Sequence, residues 1–278
     1  KMMASVSMIF GLAPAVAPIV GGWIVGWGDW RAIFWFLVVW AALMILATLV
    51  LPEPLPPEHR HAFSARRVLD GLTHVWNNPH GRRLAINGAL HFGGVFLYIS
   101  GAPMMMALLH GGEQDYWKLF VPLVAGMITG SWASGRLAHL PGHRLATAGY
   151  AIGTAGLMIN LVLALVPATQ GLPWSVAALP ILTFGMSMTF PILTLAMLDL
   201  FPDHRGAAAS VQGFAGLVVN ALIAGLIAPL LGGSLITMAV GSMVMFVAAW
   251  LVWTRHLKAT HIAPTTPDAP GFEPLDEM

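Results

Sequence analysis

Charged residues are scarce in this 278-residue sequence. Asp, Glu, Lys and Arg together make up 9% of it, whereas 57% of the residues are hydrophobic. A soluble domain carries about 25% charged residues, so this chain cannot cover a water-facing surface with polar groups. Cysteine is absent, which excludes disulfides and thiolate metal sites. No cluster of Lys and Arg is large enough for a nucleic-acid footprint. The composition therefore predicts a protein whose outer surface meets lipid.

Long hydrophobic segments recur along the whole chain. About 20 apolar residues are needed to cross a bilayer, and backbone groups in lipid must find hydrogen bonds within their own segment or barrel. The segments are too long for barrel strands and do not alternate in polarity, so we predict helices. The sequence predicts an all-α integral membrane protein with eight spans, at residues 4–26, 31–51, 84–109, 117–138, 145–167, 174–200, 207–231 and 234–254.

The basic residues are distributed unevenly between the loops on the two sides of the membrane. With the N-terminus in the cytosol, only Arg31 and Lys118 lie outside, and the other eleven of the 13 Lys and Arg lie inside. Cytosolic loops of membrane proteins are enriched in Lys and Arg, so both termini are predicted to be cytosolic. The eleven inside residues are Lys1, Arg60, Arg66, Arg67, Arg82, Arg83, Arg136, Arg144, Arg205, Arg255 and Lys258.

One long connection, residues 52–83, divides two spans from six. After a proline-rich start, Ser64 can cap a helix. The apolar residues that follow recur at helical spacing and form one face: Val68, Leu69, Leu72, Val75 and Trp76. We interpret this segment as a surface helix on the inner leaflet; an ordinary linker with an accidental pattern is the alternative. The predicted units are therefore 1–51, the connection 52–83, 84–258 and a disordered tail at 259–278, which is rich in Pro and acidic residues.

The first span carries a proline and glycine motif. It contains Pro14 and ends Ala17-Pro18-Ile19-Val20-Gly21-Gly22, where proline bends the helix and paired glycines admit a close neighbour. These residues resemble the antiporter signature of the major facilitator superfamily, which lies in that family's fifth helix and ends G-P-x-x-G-G. The upstream glycines of the family pattern are Ala4, Ala13 and Ala17 here.

Four further stretches resemble the same superfamily. Trp30, Arg31 and Phe34 match the W-R-x-x-F that opens the sixth helix. The stretches 98–103 and 201–210 resemble the seventh helix and the loop between helices ten and eleven in bicyclomycin-resistance drug antiporters. The loop 135–144 retains Gly135, Gly142 and Arg144 of the pattern G-x-x-x-D-R-x-G-R-R, but has His139 and Leu140 in place of Asp and Arg.

The resemblance covers about residues 1–258 and implies helices five to twelve of a twelve-helix transporter. It implies that this sequence is an N-terminally truncated portion without the first four helices. The implied function is multidrug efflux by proton antiport in a bacterial inner membrane, with small, largely apolar compounds and protons as partners. It implies no cofactor, metal, nucleic acid or obligate protein partner. A sugar or metabolite exporter of the same superfamily and a non-transporting remnant are the alternatives.

Two predicted spans carry polar stripes. Asn87, His91, Gly94, Tyr98 and Met105 fall within about 40° of one line at the helical period of about 100° per residue, and the resemblance assigns this helix to the central cavity. On the sixth predicted span a second stripe is formed by Thr183, Ser187, Phe190 and Thr194. We predict that both stripes except Gly94 and Thr194 line a substrate cavity. The alternatives are that Asn87 and His91 hydrogen-bond to neighbouring helices, and that the second stripe is a helix kink filled by Thr hydroxyls. His91 as a proton carrier is a further hypothesis.

Other residues are candidates for helix bending and gating. Pro103 and Pro191 are predicted to bend their helices together with the first-span motif, and Gly135, Gly142, Arg144 and Arg205 are candidate residues of cytosolic gate loops by the resemblance. The span interiors contain no Asp or Glu, so the carboxylate that a proton-coupled exporter usually needs is not found in them. Paired carboxylates, metal-spaced ligands and a nucleophile with its base are likewise missing from the spans, so we do not expect an enzyme.

Overall fold

A computed structural model of the chain describes residues 17, 20–21, 23–52, 64–111 and 115–262. Within these ranges the regular elements are helices and helical turns, with no strand. The main helices, numbered here in chain order, are α1 Trp30–Val50, α2 Ala65–Asn77, α3 Pro79–Ser100, α4 Ala102–Leu108, α5 Trp117–Arg136, α6 Gly142–Leu165, α7 Leu179–Asp199, α8 Arg205–Leu222 and α9 Leu235–Ile262.

Helix α1 starts at the W-R-x-x-F stretch, and the contacts within its first turn explain why Trp, Arg and Phe occur there. Asp29 caps the helix by accepting a hydrogen bond from the Arg31 amide at 2.9 Å, and the Arg31 guanidinium lies 5.1 Å from the centre of the Trp30 ring. Trp30 and Phe34 pack edge to face at 5.8 Å. None of the residues of α1 is buried, which suits a strongly apolar helix surrounded by lipid.

Helix α2 lies in the long connection, where the sequence predicted a helix with one apolar face. The Ser64 side chain accepts a hydrogen bond from the Arg67 amide at 3.4 Å, as an N-cap does. Gly71 and Val75 are buried, and a Cβ atom at Gly71 would lie 3.4 Å from Ala207 of α8. The apolar face therefore packs on the helix bundle in part; its location on the inner leaflet stays a prediction.

Helices α3 to α9 form a bundle with α7 near its centre. Helix α7 contacts α3, α5, α6 and α8, and α9 contacts α3 and α6. A close crossing joins α6 and α7 at small residues, since a Cβ atom at Gly185 would come closer than 3.0 Å to backbone atoms of Gly149 and Gly153. Small residues let transmembrane helices approach and gain dispersion contacts, because lipid provides no hydrophobic driving force between helices.

Three features interrupt regular helical geometry. Helices α3 and α4 meet at Gly101 with a bend of 50°. Pro122 lies inside α5 and Pro191 inside α7, where each removes one backbone hydrogen bond. Helix α8 continues through a π-helical segment, Ile223–Ile227, into Ala228–Leu231. Such bulges and breaks are tolerated in membranes where neighbouring helices satisfy the freed backbone groups.

The described helices correspond to most of the predicted spans. Five are long and apolar enough to cross a membrane: Trp30–Val50, Gly142–Leu165, Trp174–Asp199, Pro202–Leu231 and Leu235–Thr260; the bent pair α3 and α4 makes a sixth. Helix α5 has 20 residues, enough for about 30 Å, but it is less hydrophobic because it carries Lys118 and Arg136 near its ends and Ser131 and Ser134 in between. Both serines are buried in the bundle, so they do not face lipid. The first predicted span, 4–26, lies mostly outside the described residues. The chain is an all-α membrane protein.

Candidate functional site

The polar stripe of α3 points into the bundle and holds three helices together. The Asn87 side chain donates to the Ala249 carbonyl of α9 at 2.6 Å and accepts from the Tyr150 hydroxyl of α6 at 2.8 Å. Asn87 is buried, with 1% of its surface exposed. The side-chain amide of Asn87 thus forms hydrogen bonds with a carbonyl and a hydroxyl that would find no hydrogen-bond partner in lipid.

His91 lies one turn further along α3 and is fully buried. Its Nε2 atom is 3.0 Å from the Met186 carbonyl of α7. The imidazole packs edge to face on Tyr150 at 4.9 Å and stacks on Phe246 at 5.1 Å. Its Nδ1 atom is buried and has no hydrogen-bond partner among the described residues. His91 therefore links α3 to α7, and its Nδ1 atom is left without a described hydrogen-bond partner inside the bundle.

The remaining members of the predicted stripe are also buried, but the 50° bend places Met105 on α4 and not on α3. The Tyr98 hydroxyl accepts a hydrogen bond from Asn160 of α6 at 2.7 Å, and Ser242 of α9 donates to the Gly94 carbonyl at 2.6 Å. Met105 is 1% exposed and belongs to the main apolar core. Asn160 thus joins two helices, as a polar residue on a small-residue stripe is expected to do.

The second stripe lies on α7, next to α5 and α3. Thr183 is fully buried, and its hydroxyl donates to the Leu179 carbonyl of its own helix at 3.2 Å. A Cβ atom at Gly126 of α5 would collide with this Thr183 hydroxyl. Ser187 is buried and Phe190 is half-buried. The carbonyl of Met186, the residue before Ser187, lies within hydrogen-bond distance of His91. This contact brings the two predicted stripes together at one level of the bundle.

The predicted bend and gate residues occupy separate parts of the structure. Pro103 is the second residue of α4, directly after the 50° bend. Gly142 begins α6, and Arg205 begins α8 and pairs with Asp199 of α7 at 3.6 Å. Gly135 and Arg144 lie at the two ends of the α5–α6 connection. A Cβ atom added at Gly21 would meet nothing within 4 Å outside its own helix, while Pro14, Pro18 and Gly22 lie outside the described residues.

Sequence reasoning missed the residues that pack on His91 or hydrogen-bond to Gly94. Tyr150, Phe246 and Ser242 come from α6 and α9 and were not predicted as site residues. Their signal in the sequence is weak, since an aromatic residue or a serine in an apolar span is usual. Among the described residues no group of three or more His, Cys, Asp or Glu side chains could hold a metal ion.

Comparison with known proteins assigns this architecture to a family. The family model described as Major Facilitator Superfamily matches residues 1–224. The chain belongs to the major facilitator superfamily. That match covers the first-span motif, α1 and the described helices through the whole of α8.

Two curated relatives extend the comparison. A Haemophilus influenzae protein named "Bicyclomycin resistance protein homolog" is 24% identical over 271 residues, which is 93% of this chain and 66% of the relative. A Bacillus subtilis protein named "Uncharacterized MFS-type transporter YdgK" is 28% identical over 256 residues, 90% of this chain and 62% of the relative. The chain spans slightly less than two thirds of the length of either relative.

Proposed function

We propose that this major facilitator chain takes part in the export of small, largely apolar compounds in exchange for protons. The observation that carries the proposal is the superfamily match over residues 1–224, together with the name of the Haemophilus influenzae relative, which refers to drug resistance. The structure adds a bundle with a broken helix at α3 and α4. Broken helices expose backbone groups that can bind or gate in secondary transporters.

The proposed substrate cavity is formed by the stripes of α3 and α7 when the bundle opens. Its residues are Asn87, His91, Tyr98, Met105, Thr183, Ser187 and Phe190. Aromatic and Met side chains supply adaptable apolar surface, and a few polar groups fix orientation. The Nδ1 atom of His91 has no hydrogen-bond partner among the described residues, which supports a polar contact with substrate at this level of the bundle. A buried polar atom without a hydrogen-bond partner favours a state in which it acquires a partner.

The cytosolic gate is proposed to involve the loops at one end of the bundle. Arg205 and Asp199 join the end of α7 to the start of α8, while Gly135 lies in the last turn of α5 and Gly142 and Arg144 lie in the first turn of α6, on either side of the short connection. An exposed pair of this kind contributes about 0–1 kcal/mol, which suits a contact that forms and breaks during a transport cycle. The bend next to Pro103 and the proline inside α7, Pro191, are proposed as the points where these helices flex.

If the protein is a proton antiporter, adding an exported compound should dissipate part of a pH gradient that has been formed across the membrane. Inverted membrane vesicles from cells expressing the protein from its full gene are energised until a pH-sensitive acridine dye is quenched. Addition of a planar apolar drug should restore part of the fluorescence, and control vesicles without the protein should show no recovery. Drug accumulation without fluorescence recovery would contradict proton coupling. Recovery with sugars or metabolites but not with drugs would favour the alternative exporter, and no transport of either class would favour the remnant.

The proposed topology has both termini and the 52–83 connection in the cytosol of a bacterial inner membrane. Of the eight Lys and Arg between residues 79 and 262, seven lie at the end of the bundle where α3 begins, and Lys118 lies at the other end. Reporter fusions that are active on only one side of the membrane should report opposite sides when placed after Ala62 and after Gly112. The same side for both fusions would refute the orientation, which rests on the excess of cytosolic Lys and Arg.

A further inference from the structure

Four nitrogen-bearing side chains converge at the end of the bundle where α3 begins and α9 ends. His80 and Arg83 lie one turn apart on α3, and Trp253 and His256 lie one turn apart on α9. The rings of His80 and His256 meet edge to face at 5.5 Å, and Trp253 stacks on His256 at 5.7 Å. We refer to these four residues as the His–Arg–Trp cluster. None of them belongs to the proposed substrate cavity.

Each member of the cluster has a buried nitrogen without a hydrogen-bond partner among the described residues. These atoms are His80 Nδ1, Arg83 Nη1, Trp253 Nε1 and His256 Nδ1. Trp253 is 0% exposed and His256 is 5% exposed, so bulk water does not solvate their nitrogens. Buried polar groups in folded proteins are almost always hydrogen-bonded, and four unpartnered nitrogens at one place indicate that a further group belongs there.

The chemistry of the four nitrogens selects an acceptor. Guanidinium and indole N–H groups only donate, and each imidazole Nδ1 donates when it carries the proton. No carboxylate of the described part of the chain pairs with Arg83, and the Arg83 charge is close enough to act on both imidazoles. The cluster is therefore rich in donors and positive charge, and an anion with several oxygen acceptors would satisfy it.

The start of α3 contributes little beyond these side chains. The Asn78 side chain already accepts hydrogen bonds from the amides of His80 and Gly81, at 2.9 and 3.2 Å. His80 and Arg83 are half-buried, so the cluster opens towards the surface on their side. Its depth, at one end of two membrane-spanning helices, is that of lipid headgroups, just outside the hydrocarbon core.

We propose that the His–Arg–Trp cluster binds a phosphate group. Phosphate offers several charged oxygens, and a guanidinium can donate two parallel N–H groups to it. Two sources carry this chemistry at that depth: the headgroup of an anionic phospholipid of the same leaflet, and free phosphate from the aqueous side. A phosphate at this site ties the start of α3 to the end of α9.

The test measures binding to the purified protein in detergent by native mass spectrometry, and melting temperature in parallel. The probes are phosphatidylglycerol, inorganic phosphate, and diacylglycerol as a phosphate-free control. Wild type should bind and be stabilised by phosphatidylglycerol or by inorganic phosphate, but not by diacylglycerol. Stabilisation by the lipid alone identifies a headgroup site, and stabilisation by inorganic phosphate identifies a free-anion site.

Two variants and a matched control connect binding to the cluster. Arg83→Gln should weaken binding about tenfold or more, because a charge-assisted hydrogen bond is lost. Arg82→Gln removes the neighbouring, exposed arginine and should bind as wild type does. If Arg83→Gln does not fold, the double variant His80→Gln/His256→Gln tests the same site. Binding unchanged in these variants, or no phosphate-dependent binding by wild type, overturns the proposal and leaves water as the occupant.

Discussion

Gly185→Ala should destabilise the bundle strongly, near the upper end of the about 1–3 kcal/mol that overpacking costs, or beyond it. The added Cβ would come closer than 3.0 Å to backbone atoms of Gly149 and Gly153, and backbone cannot move aside as the end of a flexible side chain can. To make room for the added Cβ atom, α6 and α7 would have to move apart at the centre of the bundle. These two helices also carry Tyr150 and Met186, which contact His91. Thermal melting of the purified protein in detergent measures the effect.

Gly213→Ala is the matched control for this substitution. Gly213 is also a helical glycine, but nothing lies within 4 Å of a Cβ atom added there. Alanine is the better helix former by about 0.5–1 kcal/mol, so the control should melt at or above the temperature of the wild type. Equal melting temperatures for Gly185→Ala and the wild type would contradict the close crossing of α6 and α7.

Single-cysteine labelling of α3 should show a helical period centred on His91 and Tyr98, and substrate should block it. The chain contains no cysteine, so every labelled thiol is an introduced one. In the described packing Asn87, His91 and Tyr98 are at most 2% exposed. Labelling by a membrane-impermeant maleimide would therefore report opening of the bundle, and it should increase when the membrane is energised.

The opposite labelling pattern would refute the cavity assignment. If the reagent reaches Ala89, Phe96 and Met104 instead, the polar stripe is a packing interface and the substrate path lies on the other face of α3. Transport provides a second readout. Tyr98→Ala should change the range of exported compounds, whereas Tyr98→Phe keeps the ring and removes only the hydroxyl that accepts the bond from Asn160. Identical export profiles for both variants and the wild type would exclude Tyr98 from the cavity.

Composition and helical phase were sufficient for the class of protein and for many of its elements. Lipid requires internal backbone hydrogen bonds, so a chain with 57% hydrophobic and 9% charged residues has few alternatives to helices. The start of α1 was predictable from Trp30, Arg31 and Phe34, because capping and ring packing act within one turn. The family was predictable as well, since its motifs are local and occur in a fixed order.

The partners of each polar residue depended on tertiary structure. Phase alone shows that Asn87, His91 and Tyr98 share a face, but a cavity wall and a helix interface have the same period. Only the packing of α6, α7 and α9 around α3 determines that Asn87 meets Tyr150, that His91 meets the Met186 carbonyl, and that Tyr98 meets Asn160.

The His–Arg–Trp cluster shows most clearly the difference between what the sequence determines and what only the tertiary structure determines. His80 and His256 are 176 positions apart in the sequence, and neither is unusual near the end of an apolar helix. The sequence by itself determined that each residue lies near a helix end, because hydrophobicity sets where a span stops. The antiparallel packing of α3 and α9 decided that these ends meet, since long-range contacts depend on the joint packing of several helices and not on any local pattern.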